Sequence, residues 1–396
     1  MAEDRDVVVV GAARTAIGAY GGGLKDVPLG ELAASVVRES VRRAGIEPDT
    51  VGHVVFGNVI HTEPRDMYLA RVASINAGLP QSTPALTLNR LCGSGLQAIV
   101  TAATCIRLGE ADAVVGGGGD SMSRAPYWLP SGRWGQRMGD GAILDAMVGA
   151  LTDPFDKCHM GITAENVADK WGVSREDQDA LALESHRRAV AAIDGGQFRE
   201  RVLPVEISTR KGTVVVDTDE GPRRDVTAEG LAGMRPVFKR DGGTVTAGNA
   251  SSLNDGAAAV TLMAADAAER AGIQPLARLV DATVAAVDPK YMGIGPVPAV
   301  RQLLERTGVS AGQVDLWEIN EAFAAQALAV VRDLDLDPSR VNPQGSGISL
   351  GHPIGATGAN LTVKAVHELR RSGGRYAVVT MCIGGGQGIA ALYERI

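Results

Sequence analysis

The sequence predicts a duplicated α/β protein, and three observations carry that reading. Short apolar runs alternate with helix-period stretches, the pattern of a largely parallel sheet with crossover helices. The order of these elements in the first third of the chain returns in the last third. The offset stays close to 263 residues at Gly45/Gly308, Val51/Val314 and Cys92/Gly355. Between the two copies the chain changes character. Its 396 residues suit two or three domains at ~100–200 residues each.

The elements follow in order. Val7-Val8-Val9-Val10 reads as a buried strand ending at Gly11. A helix over 29–44 carries Leu32, Val36 and Val37 on one face and stops at Gly45. Val54-Val55-Phe56 is a strand that ends in Gly57-Asn58. Residues 87–91 lead into Cys92-Gly93-Ser94-Gly95 and a helix to about Leu108. Ala113-Val114-Val115 then runs into glycines 116–119. In the second copy, 276–280 is a strand and 298–306 a helix. Leu316-Trp317-Glu318-Ile319 ends at Asn320, Gly355-Ala356-Thr357-Gly358 opens a helix, and Ala377-Val378-Val379 runs towards Gly384-Gly385-Gly386. The intervening stretch holds Trp128, Trp134 and Trp171. Ser174-Arg175-Glu176-Asp177 is a capping-box-like start to a helix reaching about Ile193, and 221–233 reads as irregular. The expected division is an N-terminal half over 1–120, completed by 251–270, an insertion over 121–250, and a C-terminal half over 271–396. An insertion in one half only is expected to cover the site that the halves build.

Composition excludes several function classes. The chain is 45% hydrophobic and 21% charged, which rules out general disorder. Aromatics are 4% against 50 glycines, so the core must rest on Ala, Val, Leu and close backbone packing. A net charge of -7, from 46 acidic and 39 basic residues, argues against a nucleic-acid partner. No apolar run approaches the ~18 residues of a membrane span. Residues 1–6 are acidic and lack the features of a secretory signal. Four scattered cysteines, none in a Cys-x-x-Cys pair, make neither a disulfide scaffold nor a zinc knuckle, and no metal is expected. The chain reads as a soluble, reduced, cytoplasmic protein.

Familiar nucleotide and hydrolase signatures fail. There is no phosphate-binding Gly-Lys loop, Gly11-Ala12-Ala13 breaks the dinucleotide pattern, and Ser94 lacks the upstream glycine of a nucleophile elbow. One constellation remains. Cys92 stands at a helix start between glycines, where the helix dipole is expected to favour the thiolate; the competing reading is a small buried thiol filling space. His352 lies in the glycine-rich Leu350-Gly351-His352-Pro353-Ile354-Gly355, Asn320 ends a strand, and Cys382 ends another before three glycines. Each has a bland alternative: a histidine satisfied by carbonyls, an Asx-turn, a core thiol. Together they sit at strand ends that a duplicated sheet brings to one face, where ligands of such sheets gather. Cys105 and Cys158 read as bland.

These blocks resemble the thiolase family. Leu91-Cys92-Gly93-Ser94-Gly95, Asn320-Glu321-Ala322-Phe323, Gly351-His352-Pro353-Ile354-Gly355 and Cys382-Ile383-Gly384-Gly385-Gly386 are similar to its four signature blocks, in order. The resemblance extends from Val7 to Ile396. Residues 342–349 look like those of bacterial β-ketothiolases of broad short-chain range, and Asp120 replaces the usual Glu at a structural position.

The resemblance implies a five-layered α/β/α/β/α fold with an inserted coenzyme A-binding loop domain, in a homotetramer. It implies acyl transfer between acetyl-CoA, coenzyme A and 3-oxoacyl-CoA, by reversible condensation and thiolysis, with coenzyme A as co-substrate and no other cofactor. That chemistry belongs to fatty acid metabolism and the supply of polyhydroxyalkanoate precursors. Cys92 corresponds to the acylated nucleophile, His352 to its base and Cys382 to the acid/base for the α-proton. Asn320 corresponds to the holder of an oxyanion-hole water, and the Cys92 and Gly384 N–H groups to a second oxyanion hole. His159, Arg223, Phe238 and Ser251 fall at coenzyme A contacts, Leu151 near the adenine and Met292 at the acyl wall. A ketoacyl synthase shares the duplicated fold but resembles Cys-His-His, which Cys382 disfavours. A silent acyl-CoA carrier is the reading from another class; acyl transfer to Cys92 separates it from an enzyme.

Overall fold

A computed structural model describes residues 5–210 and 212–396. The expected absence of a leader rests partly on residues 1–4, which lie outside the described ones. Nine main strands carry the fold: β1 (Val7–Thr15), β2 (Val51–Gly57), β3 (Ala85–Leu88), β4 (Ala113–Ser121), β5 (Asn254–Ala264), β6 (Ala277–Ala286), β7 (Leu316–Ile319), β8 (Tyr376–Ile383) and β9 (Gln387–Glu394). The helices that matter here are α1 (Leu29–Ala44), α2 (Ser94–Arg107), α3 (Met160–Trp171), α4 (Arg175–Asp194), α5 (Pro296–Thr307), α6 (Ala324–Asp333) and α7 (Thr357–Ser372).

Local chemistry places these elements. Helix α1 buries Leu29, Leu32, Ala33, Val36, Val37 and Val41 on one stripe, with Glu31 in its first turn and Arg42 and Arg43 in its last. It ends at Gly45, whose φ of 69° is the left-handed value that favours glycine at this position. Helix α4 starts where Ser174 Oγ accepts the N–H of Asp177 at 3.1 Å. The strands alternate between two cores. Ala377, Val379 and Met381 of β8 face one cluster and Val378 another.

The duplication is visible in strand order, which runs β7-β8-β9-β6-β1-β5-β4-β2-β3. The order β7-β8-β9-β6 mirrors β2-β4-β5-β1. The halves join where Val7, Val8 and Val9 of β1 pair with Leu279, Arg278 and Ala277 of β6. The sheet is mixed, which corrects the expectation of largely parallel halves. β2 runs parallel to β3 and β4, and β7 to β8, but β5 and β9 return antiparallel against β4 and β8. The three-glycine turn 384–386 makes the β8–β9 return a hairpin, which needs no crossover helix. The glycines 116–119, expected after a strand, continue β4 itself to Ser121.

Five layers result. Helix α1 covers one outer face together with strands of the N-terminal half. Helices α5 and α6 cover the other, with Trp317 and Ile319. Between the two halves of the sheet α2 and α7 share one central core with Leu96, Ile99, Val363 and Leu369. The excursion between Ser121 and Asn254 holds α3, α4 and a short helix Ala228–Ala232 where irregular chain was expected. Among the described residues no helix is long and apolar enough to cross a membrane.

Helices α2 and α7 approach within backbone contact. A Cβ on Gly358 would lie 2.4 Å from the Leu96 nitrogen, and one on Gly95 would lie 2.8 Å from that of Ala359. Gly358→Ala gains roughly 0.5–1 kcal/mol of helix propensity, while overpacking a well-packed interior costs about 1–3 kcal/mol. Because the obstructing atom is backbone, the second effect wins. A net destabilisation of about 1 kcal/mol is expected from urea unfolding at unchanged m-value. Gly312→Ala, which meets nothing within 4 Å, is the control and leaves the midpoint within error. Equal midpoints for the two variants would contradict the contact.

Candidate active site

Cys92 sits in a knot between β3 and α2. Leu91 adopts φ 43°, a left-handed value costly for a branched residue. Side chains hold it there: Asn89 Oδ1 accepts the Leu91 N–H at 2.8 Å, and Ser94 Oγ accepts from Arg90 N at 2.8 Å while donating to Leu91 O at 2.7 Å. Ser94 is therefore a brace. Burial pushes the Cys92 thiol up to about 11, against the pull of the Gly384 and Cys92 N–H groups directed at it. The expected net effect of the helix start, a lowered thiol, is overturned because the sulfur is desolvated.

His352 stands on a turn between Gly351 (φ 111°) and Gly355. Its backbone N–H donates to Asn254 Oδ1 at 2.8 Å, and its Nδ1 lies 2.7 Å from Thr357 Oγ1. The Thr357 hydroxyl gives its hydrogen to Pro353 O at 2.9 Å, so it accepts from Nδ1–H. That assignment leaves the Nε2 lone pair able to accept a proton. Burial lowers the imidazole to about 4, so it rests neutral. Asn320 Nδ2 lies 3.5 Å from Nδ1 and 3.4 Å from Nε2. Near-equal distances put the amide over the ring face, leaving the Nε2 lone pair free.

Cys382 on β8 is fully buried, and burial followed by the neighbouring Cys92 pushes its thiol far above the usual range. The following turn has Gly385 and Gly386 at φ 81° and 84°, a bend that aims the Gly384 N–H at Cys92. Cys92, His352, Cys382 and Gly384 line one cavity of about 560 Å³. His159, Arg223, Phe238, Ser251, Leu151 and Met292 line the same cavity. Asn320 does not; it backs His352.

The chain matches the family model of the thiolase N-terminal domain over residues 7–266 and that of the C-terminal domain over 273–395. The chain belongs to the thiolase family. It is 63% identical to beta-ketothiolase BktB of Cupriavidus necator, over 99% of this chain and 100% of that protein. Among solved structures, Bacillus anthracis acetyl-CoA acetyltransferase superposes with a TM-score of 0.98 at 47% identity, covering 100% of each chain. Human mitochondrial 3-ketoacyl-CoA thiolase in complex with CoA superposes at 0.96 and 46% identity, over 100% of this chain and 99% of that one.

In this thiolase the excursion roofs the cavity. His159 stacks on Phe238 with centroids 4.6 Å apart, and Phe238 meets Phe323 edge-on at 6.4 Å. His159 Nδ1 also accepts the Gly161 N–H at 3.0 Å, capping α3 and leaving Nε2–H as a donor. Ser251 is fixed by its N–H to Ala322 O at 3.0 Å. Of the adjoining arginines, Arg224 pairs with Asp194 at 2.6 Å, whereas Arg223 lines the cavity. Among the described residues no group of three His, Cys, Asp or Glu side chains is placed to hold a metal.

Residues 342–349, whose pattern looks like that of broad-range β-ketothiolases, do not line the cavity; they run behind Asn320, where a Cβ on Gly347 would meet Asn320 Oδ1 at 2.7 Å. Gly293 and Gly295, beside Met292, are packed tight, with Gly295 against Gln387 O at 2.1 Å from an added Cβ. Sequence reasoning missed Phe323 as a lining residue although it stands in a quoted block. It also missed Met160, Asn254 and Thr357, whose roles depend on contacts that no local pattern signals.

A thiol pushed up to about 11 beside an imidazole pushed down to about 4, both by burial, favours a neutral resting pair over an ion pair. The expected consequence is that alkylation of Cys92 by iodoacetamide keeps rising with pH through pH 9. A plateau already reached at pH 7, the signature of a preformed thiolate, would refute the neutral pair.

Proposed function

We propose that this thiolase is an acyl-CoA:acetyl-CoA C-acyltransferase that interconverts acetyl-CoA and short-chain 3-oxoacyl-CoA through an acyl-Cys92 intermediate. The observation that carries this is the convergence of two thiols, a neutral imidazole and two inward N–H groups on one cavity. In thiolysis Cys92 Sγ attacks the C3 carbonyl of a 3-oxoacyl-CoA while its proton passes to His352 Nε2. The Cys92 and Gly384 N–H groups stabilise the alkoxide. Collapse breaks the C2–C3 bond and leaves acyl-Cys92 and the acetyl-CoA enolate, which takes the Cys382 proton. A second coenzyme A then attacks the thioester, giving its proton to Cys382 and displacing Cys92, which recovers its proton from His352.

The microenvironments suit these roles. A buried thiol with a strongly raised pKa is a weak acid, and its thiolate a strong base, matched to the α-carbon of a thioester. Once His352 holds the Cys92 proton, Nε2–H becomes a donor for the enolate oxygen, with Asn320 and a water it holds completing that hole. We assign the 121–250 region as the coenzyme A-binding unit between the half 1–120, completed by 251–270, and the half 271–396. His159, Arg223, Ser251 and Phe238 contact coenzyme A there, Leu151 lies near the adenine, and Met292 walls the acyl pocket. Exposed Tyr127, Trp128, Trp134 and Met138 on the same region support burial against further copies in a homotetramer, and two working thiols suit a reducing cytoplasm.

The test separates the two thiols. Cys382→Ser is expected to acetylate Cys92 from acetyl-CoA, seen by peptide mass spectrometry, with a loss at least tenfold smaller than its loss of condensation, because coenzyme A can leave as a stable thiolate whereas the α-carbon needs the Cys382 base. Condensation and α-proton exchange fall by at least a hundredfold. Unmodified Cys92 in a turning-over enzyme, or equal loss of both half-reactions, would defeat the mechanism.

Acyl range follows from the lining. Met160 and Met292, both flexible side chains, pack with Phe323 and Cys382 at the acyl end. One methylene in such a pocket changes binding by only ~1–3 kcal/mol. The kcat/KM for 3-oxovaleryl-CoA is therefore expected within about two-hundredfold of that for acetoacetyl-CoA. A thousandfold preference for acetoacetyl-CoA would reveal a rigid wall.

A further inference from the structure

The His352 turn belongs to the C-terminal half, yet both its ends are held by side chains of the N-terminal half. At one end Asn254, the first residue of β5, accepts the His352 N–H. At the other end Asp120 Oδ2, near the end of β4, accepts the Gly355 N–H at 2.5 Å. Asp120 and Gly256 are register partners on the paired strands β4 and β5, so the two anchors project from adjoining strand ends. The Asp120 carboxylate is fully buried and takes further N–H groups on its other oxygen: Asn58 Nδ2 at 2.8 Å, Ile60 N at 2.9 Å and Val59 N at 3.3 Å. Gly355 has no freedom on its opposite side, because a Cβ on Gly118 would come within 2.0 Å of its carbonyl oxygen. All the groups facing the carboxylate are donors, which a carboxylate satisfies and an amide does not.

We propose that Asp120 is a positioning residue that sets the distance and angle between His352 and Cys92 by clamping the Gly355 end of the turn. This rests on His352 being the base for Cys92, and it assigns Asp120 a function beyond support of the strand. Asp120 acts through His352, not on substrate, since it does not line the cavity. The alternative is a direct field effect on the thiol, and its sign is opposite. The Asp120 charge raises the Cys92 thiol, so removing it would ease ionisation and speed alkylation. Loss of positioning slows alkylation, because proton transfer to Nε2 loses its geometry.

The test is iodoacetamide alkylation of Cys92 at pH 8, where the Asp120 carboxyl is ionised although burial raises it to about 7. It needs no substrate, so it stands whether or not the parent protein catalyses thiolysis; a parent without thiolysis defeats the proposed function alone. In Asp120→Asn the amide opposes a donor to the Gly355 N–H, and alkylation is expected to fall at least tenfold. Within a His352→Ala background the same change is expected to have no further effect, the non-additivity of residues acting through one another. For substrates, kcat falls with KM for coenzyme A unchanged. Faster alkylation in Asp120→Asn, or the same loss in both backgrounds, would overturn the assignment. Should Asp120→Asn fail to fold, Gly355→Ala carries the test: the charge stays, the added Cβ would lie 2.3 Å from Asp120 Oδ2 and displaces the turn, and a several-fold loss confined to the His352-containing background is expected. An unchanged rate in that variant would equally overturn it.

Discussion

Everything catalytic in this molecule depends on backbone contact between α2 and α7. Gly95 and Gly358, equivalent positions in the two halves, let the N-terminal turns of these helices lie against each other with no side chain between them. Cys92 precedes the first helix and His352 the second. With a Cβ at either glycine the helices would stand apart, and Cys92 and His352 would separate with them. The contact is also where the two halves of the sheet share one core, so stability and catalytic geometry draw on the same packing.

That closeness has an electrostatic consequence. In a site assembled between the two halves, burial is the largest cause that pushes both thiols up and the imidazole down. The resting site is therefore neutral. Charge is created only as bonds form, next to N–H groups of Cys92 and Gly384 that are already aimed. Preorganised donors are worth most in buried surroundings, where the effective dielectric is low. Side chains around the site hold its turns by hydrogen bonds. Thr357 fixes the His352 tautomer, Asn254 and Asp120 hold its turn, and Ser94 braces the Cys92 turn.

The two halves of the duplication have diverged in use. The position of Cys92 in the first half is taken by Gly355 in the second. One supplies the sulfur and an inward N–H; the other supplies an N–H to Asp120. The excursion after β4 exists once, so the cavity has one roof, carrying the stacked His159–Phe238 pair against Phe323 of the opposite half. Arg223 and Arg224 show how the roof sorts its charges: one is spent on Asp194, and the other is left to the cavity.

Local sequence determined the pieces. The stripe of α1 and its Gly45 stop, the capped start of α4, the two copies of the strand and helix order, and the four blocks around Cys92, Asn320, His352 and Cys382 are all set by neighbours in the chain, where periodicity and turn chemistry act. Tertiary structure decided the rest. The antiparallel return of β5 and β9 was hidden because strand direction depends on which distant strand accepts the hydrogen bonds. The high thiol was hidden because desolvation is a property of everything packed around Cys92, outweighing the helix start beside it. Residues 342–349 carry a recognisable pattern yet stand behind Asn320, since position along the chain says nothing of which side of a side chain faces the ligand. Asp120, read from sequence as a structural position, meets its partner Gly355 across the boundary between the halves. Burial and long-range pairing are shared by residues far apart in sequence, so they are settled only when the chain closes on itself.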